Sequence, residues 1–166
     1  MLLLRAFELL QGQRFQLLIL GKGGLEAQIL EAAKRDARIS FKGYCTQSEA
    51  KSLECGATVL INPRPSRQAF TQYSFPSKIL EYMATGRPVI STRLPGIPEE
   101  YFAHMIVLEN ETPEELAALF LRLEALPRAV LDELGANART FVSVKKNERS
   151  QGQRILAFLE RLGIES

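Results

Sequence analysis

The chain alternates short runs of consecutive apolar residues with longer stretches in which apolar residues recur at helical spacing. A short continuous apolar run bounded by glycine or proline is typical of a strand buried on both faces, whereas the longer period is that of an amphipathic helix. The sequence therefore predicts five strands, at residues 16–20, 39–42, 57–62, 88–92 and 105–108. It predicts helices over residues 1–10, 25–37, 46–56, 76–86 and 112–126, a helical turn within 94–102, and two further helices after 126.

Apolar strands that alternate with helices predict an α/β fold, a Rossmann-like doubly wound parallel sheet with helices on both faces. In such a sheet ligands bind beyond the carboxyl ends of the strands. Candidate chemistry is therefore expected in the loops that follow strands, at residues 21–24, 43–46, 62–76 and 92–98. The chain shows no repeat and no linker, and its 166 residues suffice for one hydrophobic core, so a single domain over residues 1–166 is predicted.

Composition and charge exclude several classes of function. The 21 Lys and Arg residues nearly balance 19 Asp and Glu residues and are scattered, so nucleic acid is not an expected partner. Cys45 and Cys55 lack CxxC spacing and clustered histidines, which argues against a metal site and a disulfide framework and favours a reduced, cytoplasmic protein. The first run, MLLLRAFELL, carries Arg5 and Glu8 and predicts an amphipathic helix rather than a signal peptide or membrane span.

The stretch YSFPSKILEYMATGRPVIST, residues 73–92, predicts a helix, its end and a following strand. Pro76 suits the first helical position because its fixed φ matches the helix and its missing donor is not needed there. Gly86 and Pro88 are expected to end the helix. Two aromatic side chains of this stretch are expected to pack against neighbouring loops: Phe75 and Tyr82.

The polar residues that open this helix form a candidate ligand site. A helix amino terminus offers free N–H groups and a positive dipole end, so the hydroxyl of Ser77 and the ammonium of Lys78 would complete a phosphate clamp. Glu81, one turn further on, could accept hydrogen bonds from two adjacent sugar hydroxyls. The residues alone leave open a plainer alternative, in which Ser77 and Lys78 are ordinary surface residues and Glu81 forms a solvated pair with Arg87.

Basic residues in two other loops are further candidates. Arg64 directly follows a strand end, where a guanidinium could reach phosphate or a sugar hydroxyl, while Arg67 is expected to be an exposed loop residue. Lys22 in GKGG could face the same cleft, although the spacing of an ATP-binding P-loop is not met. The single histidine, His104, has no carboxylate or nucleophile patterned beside it and is expected at the surface.

The run FPSKILEYMATGRPVIST resembles the donor-binding signature of retaining GT-B glycosyltransferases of the family-four type. The resemblance extends over essentially the whole chain. Gly21 and Lys22 open the turn of LLILGKGG, which is similar to the family's strand ending in Gly-x-Gly. Other segments similar to family elements are ISFKGY, GATVLINP, ELAALFLRLEAL and ELGANARTF. The resemblance implies one half of a GT-B fold, the carboxy-terminal half that holds a nucleotide-sugar donor.

The resemblance also implies roles for individual residues. Glu81 matches the second glutamate of the family's Glu-x7-Glu motif, which binds ribose, and Ser77 with Lys78 match a Pro-Ser-Lys variant that faces the diphosphate. That variant belongs to a subgroup linked to bacterial surface polysaccharides. Tyr44 and the backbone of Gly43 fall where the base is held, and stacking on the tyrosine ring would suit uracil. A UDP-sugar is therefore the expected donor.

The chain also departs from the family pattern. Tyr73 occupies the position of the first motif glutamate, so the role of that carboxylate is absent or supplied otherwise. The family's first strand, with a Gly-Arg turn and a lysine after it, and its acceptor-binding domain have no counterpart, which suggests a fragment of a two-domain enzyme. Because that first strand lies in the middle of the family's sheet, its absence should leave a gap, a closed-up register or an exchange between chains.

The implied reaction of a full enzyme is transfer of a hexose from a nucleoside diphosphate to an acceptor hydroxyl with retention of configuration, without a required metal or cofactor. Such an enzyme would be cytoplasmic, with peripheral membrane association as an option. Two alternatives come from other classes. A nucleotide-sugar epimerase of similar build would need acids and histidines for proton abstraction, for which His104 is thin support. A non-catalytic nucleotide-binding or signalling α/β module would need, as a phosphoacceptor, an acidic cluster that the strand ends do not offer.

Overall fold

The computed structural model describes residues 2–163, which form five strands and eight α-helices. The strands are β1 (Leu17–Leu20), β2 (Ile39–Gly43), β3 (Leu60–Asn62), β4 (Val89–Thr92) and β5 (Ile106–Leu108). The helices are α1 (Leu2–Leu9), α2 (Glu26–Arg35), α3 (Gln47–Gly56), α4 (Ser77–Ala84), α5 (Glu99–Phe102), α6 (Pro113–Glu124), α7 (Arg128–Lys145) and α8 (Glu148–Arg161). A 3-10 helix, Ala69–Gln72, lies in the loop between β3 and α4.

The helix ends follow from local side-chain chemistry. Thr46 and Glu49 form a reciprocal capping box at α3, and the Thr112 hydroxyl accepts the N–H of Glu115 at α6. Pro76 is the residue before α4, with an extended ψ of 106°, rather than its first helical residue as the sequence predicts. The first turn of α4 therefore begins with Ser77, and its end is marked by Gly86 in the left-handed region at φ 77°.

All strand pairs are parallel, and the strands form two separate sheets. One sheet pairs β1 with β2 and the other has the order β3-β4-β5. Within residues 2–163 no ladder joins β1 to β3, so of the three outcomes expected for the middle of the sheet the structure shows the gap. β3 starts three residues later than predicted, and the first of these residues, Ala57, still caps α3 through its N–H bond to the carbonyl oxygen of Glu54.

A buried polar pair fixes the pairing of β3 with β4. The Asn62 side-chain amide donates to the Ser91 hydroxyl at 3.2 Å, and that hydroxyl donates to the carbonyl oxygen of Thr92. All three residues are buried, and Asn62 lies directly opposite Ser91 in the ladder. Their polar groups are thus satisfied in the observed register.

Two clusters of apolar side chains form the core. The first joins α1 and α6 to both sheets, so it bridges the gap; its buried members include Phe7, Leu17, Ile39, Ile90, Leu108 and Leu116. The second lies between α4, α5 and α7, with buried members that include Ile79, Met83, Leu94, Tyr101 and Phe141. Packing of α1 and α6 across both sheets therefore holds the molecule together where backbone pairing is interrupted.

An arginine ties α1 to the start of β2. The Arg38 guanidinium pairs with Asp36 at 2.6 Å and donates to the carbonyl oxygens of Phe7, Leu10 and Gly12 at the end of α1. This hydrogen bonding lowers the pKa of the Asp36 carboxyl. Carbonyl groups at a helix end need such partners. Between residues 2 and 163, no helix is both long enough and apolar enough to span a bilayer.

Candidate functional site

The residues singled out in the sequence lie at the carboxyl ends of strands. Gly21 follows β1, Gly43 ends β2, and Arg64 comes two residues after the end of β3. Because β3 and β4 are parallel, the helix between them starts at this same edge, which places Ser77 there. The structure gathers the predicted residues into two groups, one for each sheet.

The first group lies at the end of the β1–β2 sheet. The Gly21 N–H donates to the Gly43 carbonyl oxygen at 2.7 Å, and both glycines have positive φ, at 118° and 63°. The Lys22 ammonium lies 5.2 Å from the centroid of the Tyr44 ring, a cation–π distance. The Tyr44 side chain is otherwise open, with the residue 71% exposed. This group combines an accessible aromatic ring with one positive charge.

The second group lies at the start of α4. The Lys78 ammonium donates to Glu81 Oε2 at 2.6 Å and to Glu54 Oε1 at 3.3 Å. Glu81 remains about half exposed, whereas the Glu54 side chain is 9% exposed. The plainer alternative for Glu81 is wrong in its partner, because Arg87 donates to the Cys55 carbonyl oxygen and does not pair with Glu81.

Charge interactions at this group favour the ammonium form of lysine. Hydrogen bonding to Glu81 is the main reason why the pKa of Lys78 is raised, with Glu54 adding to the effect against partial burial. Burial, and then the Glu54 carboxylate, raises the pKa of the Tyr82 phenol. The Arg64 guanidinium lies near enough to offset part of that rise, so Arg64 belongs to the same electrostatic environment.

Glu54 is a member of this group that the sequence analysis missed. Helix α3 ends at Gly56, so Glu54 lies in its last turn, where the helix dipole disfavours a carboxylate. A buried acid in that place requires a cationic partner, and Lys78 supplies it. An acidic residue in the last turn of a predicted helix was the available signal.

The loop from β3 to α4 is held by hydrogen bonds from three directions. The Thr92 hydroxyl donates to the Arg64 carbonyl oxygen at 2.5 Å, and the Ser66 N–H donates to both carboxylate oxygens of Glu111 at 3.0 and 3.1 Å. The buried Thr71 hydroxyl contacts the carbonyl oxygens of Ser66 and Gln68. The side chain of Arg64 extends from this anchored backbone and is exposed.

The LPGIP loop, residues 94–98, packs against the same segment. The Gly96 N–H donates to the Thr71 carbonyl oxygen at 3.1 Å. A Cβ added at Gly96 would lie 2.4 Å from the Ser74 carbonyl oxygen, so only glycine allows this close approach. Two loops at the carboxyl edge are thus fixed against each other.

Other predicted residues lie outside the two groups. Phe75 packs against Tyr101 with ring centroids 5.1 Å apart, and both Phe75 and Tyr82 contact the second core cluster, as expected. His104 stacks on Phe141 at 4.2 Å and precedes β5, at the opposite edge of the sheet. Arg67 is exposed. From Leu2 to Gly163, no group of three or more His, Cys, Asp or Glu side chains is arranged to hold a metal ion.

Comparison with known proteins gives a consistent family assignment. The model of the family "Glycosyl transferases group 1" matches residues 1–125. The chain is 31% identical over 157 residues to the amylovoran biosynthesis glycosyltransferase AmsK of Erwinia amylovora, covering 92% of this chain and 38% of that protein. It is 27% identical to the putative colanic acid biosynthesis glycosyltransferase WcaL of Salmonella typhimurium, covering 92% and 39%. The chain thus spans about two fifths of the length of these relatives.

Solved structures show the same fold. The Anabaena protein Alr3699/HepE in complex with UDP superposes with a TM-score of 0.74 at 16% identity, covering 96% of this chain and 44% of that one. Its complex with UDP-glucose gives a TM-score of 0.71. The chain therefore belongs to the glycosyl transferases group 1 family and folds as a GT-B glycosyltransferase domain.

Proposed function

We propose that residues 1–166 are the donor-binding domain of a two-domain glycosyltransferase that transfers a hexose from a UDP-sugar to an acceptor hydroxyl, with retention of configuration. The relatives named for amylovoran and colanic acid biosynthesis support a role in bacterial surface polysaccharide synthesis. The Anabaena neighbour, solved with UDP and UDP-glucose, supports a uridine nucleotide as donor. An acceptor-binding half would complete the enzyme.

The observation that carries this proposal is the Lys78–Glu81 pair, which joins the first turn of α4 to the second at the carboxyl edge of the sheet. In the proposed complex the exposed Glu81 carboxylate accepts the ribose hydroxyls. Lys78 uses two of its N–H donors on Glu81 and Glu54 and has a further one for a phosphate oxygen. The Ser77 hydroxyl and the free N–H groups of the helix start bind the same diphosphate.

The remaining predicted residues complete the donor site in this proposal. Tyr44 stacks on uracil, and the backbone of Gly43 lies beside the base. Gly21 and Lys22 line the loop on the same side, and the exposed Arg64 guanidinium faces phosphate or sugar from the other. UDP would therefore span both groups and link the two sheets.

The chemistry required of this domain is orientation and charge stabilisation. The reaction converts a UDP-hexose and an acceptor alcohol into the glycoside, UDP and one proton. Positive charges and a helix amino terminus stabilise the diphosphate as its bond to the sugar breaks. Holding the donor in one orientation lowers the entropic part of the barrier. No nucleophile is assigned to this domain.

Calorimetric titration of the purified chain with UDP, GDP, uridine and UDP-glucose tests the proposal. We expect UDP to bind more tightly than GDP, and uridine to bind more weakly than UDP because it lacks the diphosphate. Glu133→Gln, an exposed glutamate on α7, is the control for loss of a carboxylate and should leave all four affinities unchanged. Absence of nucleotide binding by the folded chain would reject the donor-site proposal.

A further inference from the structure

Two large aromatic residues are exposed at the carboxyl edge of the sheet, where the function proposed above does not use them. Phe70 is 57% exposed and Tyr73 is 89% exposed. Both belong to the loop that leads from β3 through Arg64 to the start of α4. They therefore lie on the segment that joins one part of the candidate donor site to another.

The backbone that carries these rings is well anchored. Thr71, between them, is 1% exposed, and its hydroxyl lies within hydrogen-bond distance of two carbonyl oxygens of the same loop. Its own carbonyl oxygen accepts the Gly96 N–H, and the Ser74 hydroxyl donates to the Phe70 carbonyl oxygen at 2.9 Å. The two rings are thus exposed on a loop whose backbone is held in place by hydrogen bonds.

The local helix places the two rings on one side. Residues Ala69–Gln72 form a 3-10 helix, and the Tyr73 N–H bonds to the Phe70 carbonyl oxygen. Since a 3-10 helix has about three residues per turn, side chains three positions apart project in the same direction. Phe70 and Tyr73 therefore project to the same side of the loop and are exposed, while Thr71 between them is buried.

The size and chemistry of this aromatic pair limit what it can bind. Together the exposed parts of the two side chains offer on the order of 300 Å². A stable protein partner needs about 800 Å² on each side, so the pair is too small to be such an interface by itself. It matches one face of a pyranose ring, whose C–H bonds carry partial positive charge and meet the negative face of an aromatic ring. The exposed Arg64 guanidinium on the same loop can donate to the hydroxyls at the sugar's rim.

We propose that Phe70 and Tyr73 form a stacking platform for a pyranose ring beside the donor site. This proposal rests on the proposed function. If the nucleotide binds next to the platform, the pyranose that stacks on it belongs to the donor hexose or to an acceptor sugar. Tyr73 then contributes to sugar recognition through its ring, with no carboxylate at that position.

The first arm of the test compares UDP-glucose and UDP-galactose with UDP by calorimetry. Phe70→Ala and Tyr73→Ala should each reduce the affinity of the better-bound UDP-hexose by about threefold to tenfold, while UDP affinity stays unchanged. Phe158→Ala, a similarly exposed phenylalanine on α8, is the matched control and should change neither affinity. This outcome assigns the platform to the donor hexose.

The second arm measures binding of cellobiose and lactose by saturation-transfer NMR. Loss of disaccharide contacts in both variants, with an unchanged ratio of UDP-hexose to UDP affinity, assigns the platform to an acceptor sugar. If wild type binds UDP and neither arm responds to the two substitutions, the platform is rejected while the donor site stands. Failure of wild type to bind any nucleotide rejects the donor site, and the platform with it.

Discussion

The two sheets differ in how completely their strands are covered, and the more apolar strand is the less buried one. β4 is buried at all four positions, and Ile90 in it is fully buried. β1 has the more apolar sequence LLIL, against VIST in β4, yet Leu18 is 41% exposed and only Leu17 is buried. β4 has a paired strand on each side, whereas β1 is paired only with β2. An apolar strand is thus buried by its neighbours, and its sequence gives only the capacity for burial.

The same contrast divides the proposed donor site. The base-binding side, with Tyr44, lies on the sparsely covered two-stranded sheet, where helix α2 has no buried residue. The phosphate and ribose side, with Lys78 and Glu81, starts a helix whose Ile79 and Met83 are fully buried. We therefore expect Lys78 and Glu81 to be held rigidly, and Tyr44 to lie on the part of the molecule that deforms more easily.

The largest expected difference between the two sheets is in packing. Ile90→Ala should lower the free energy of unfolding by about 2 to 5 kcal/mol, because it leaves a cavity in the closed core. Leu18→Ala should cost less than about 1 kcal/mol, since much of that side chain is already hydrated. Urea unfolding of both variants measures the difference, and equal losses would contradict the comparison.

The next effect concerns ribose recognition on the densely packed side. Glu81→Gln removes a carboxylate proposed to accept both ribose hydroxyls, and charge-assisted hydrogen bonds contribute roughly 1.5 to 3 kcal/mol. UDP affinity should fall about tenfold or more, and the preference for UDP over 2′-deoxy-UDP should largely disappear. Calorimetry measures both. An intact preference in this variant would remove Glu81 from the ribose site.

A backbone contact offers a third comparison. Gly96→Ala places a methyl group 2.4 Å from the Ser74 carbonyl oxygen, and the forced displacement should cost about 1 to 3 kcal/mol of stability. Gly24→Ala, in the loop after β1, meets no atom within 4 Å and should be close to neutral. Thermal unfolding of the two variants measures the difference, and an equal loss of stability in both would contradict it.

Substitutions of Lys78 and Tyr44 should affect the binding of UDP and uridine differently, because one residue is proposed to contact phosphate and the other the base. Lys78→Ala should weaken UDP by about fivefold to tenfold at low salt and by less at high salt, while uridine is little affected. Tyr44→Ala should weaken UDP and uridine by the same factor, because stacking involves only the base. Parallel titrations at two salt concentrations measure these factors, and equal behaviour of the variants would show that the site is not divided in this way.

The smallest expected effect is the pH dependence on the sparsely covered side. The pKa of Asp36 is lowered by its hydrogen bonds with Arg38, so the unfolded chain binds more protons there than the folded one. Its stabilisation is present above the ordinary carboxyl pKa and is lost as pH falls through the lowered one. Asp36→Asn should cost less than about 1 kcal/mol at pH 7 and reduce the acid sensitivity of unfolding. If the acid sensitivity of the variant equals that of the wild type, Asp36 does not contribute to it.

Pattern and local chemistry predicted much of the fold. All five strands lie within one to three residues of their predicted positions, and α3 and α6 begin directly after Thr46 and Thr112, where the sequence predicts these helices to start. Two helix boundaries differ from the prediction, because the hydrophobic pattern does not show whether a residue at the boundary joins the helix or the neighbouring segment. Pro76 precedes α4 instead of starting it, and Ala57 stays with α3 at the expense of β3.

The segments that carry the candidate residues were predictable from the sequence, whereas the contacts of their side chains were less so. The loops after strands do carry Gly21, Gly43 and Arg64, because parallel pairing puts their ends at one edge. Glu54 was missed because its contact with Lys78 depends on how α3 lies beside α4. The Lys78–Glu81 pair, which replaces the Glu81–Arg87 pair of the plainer alternative, lies within α4 at a spacing of three residues, so helix geometry alone could have indicated it. Side-chain partners between helices depend on tertiary packing that a single sequence does not contain.

The buried Asn62–Ser91 pair also bears on how the chain avoids misassembly. Both strands are short, and a slip of one residue would turn every side chain to the opposite face. In a slipped ladder each polar group would lose its partner while still buried, at a cost of about 1 to 3 kcal/mol per group. The pair therefore disfavours slipped registers, and the observed register brings Thr92 to the Arg64 carbonyl oxygen.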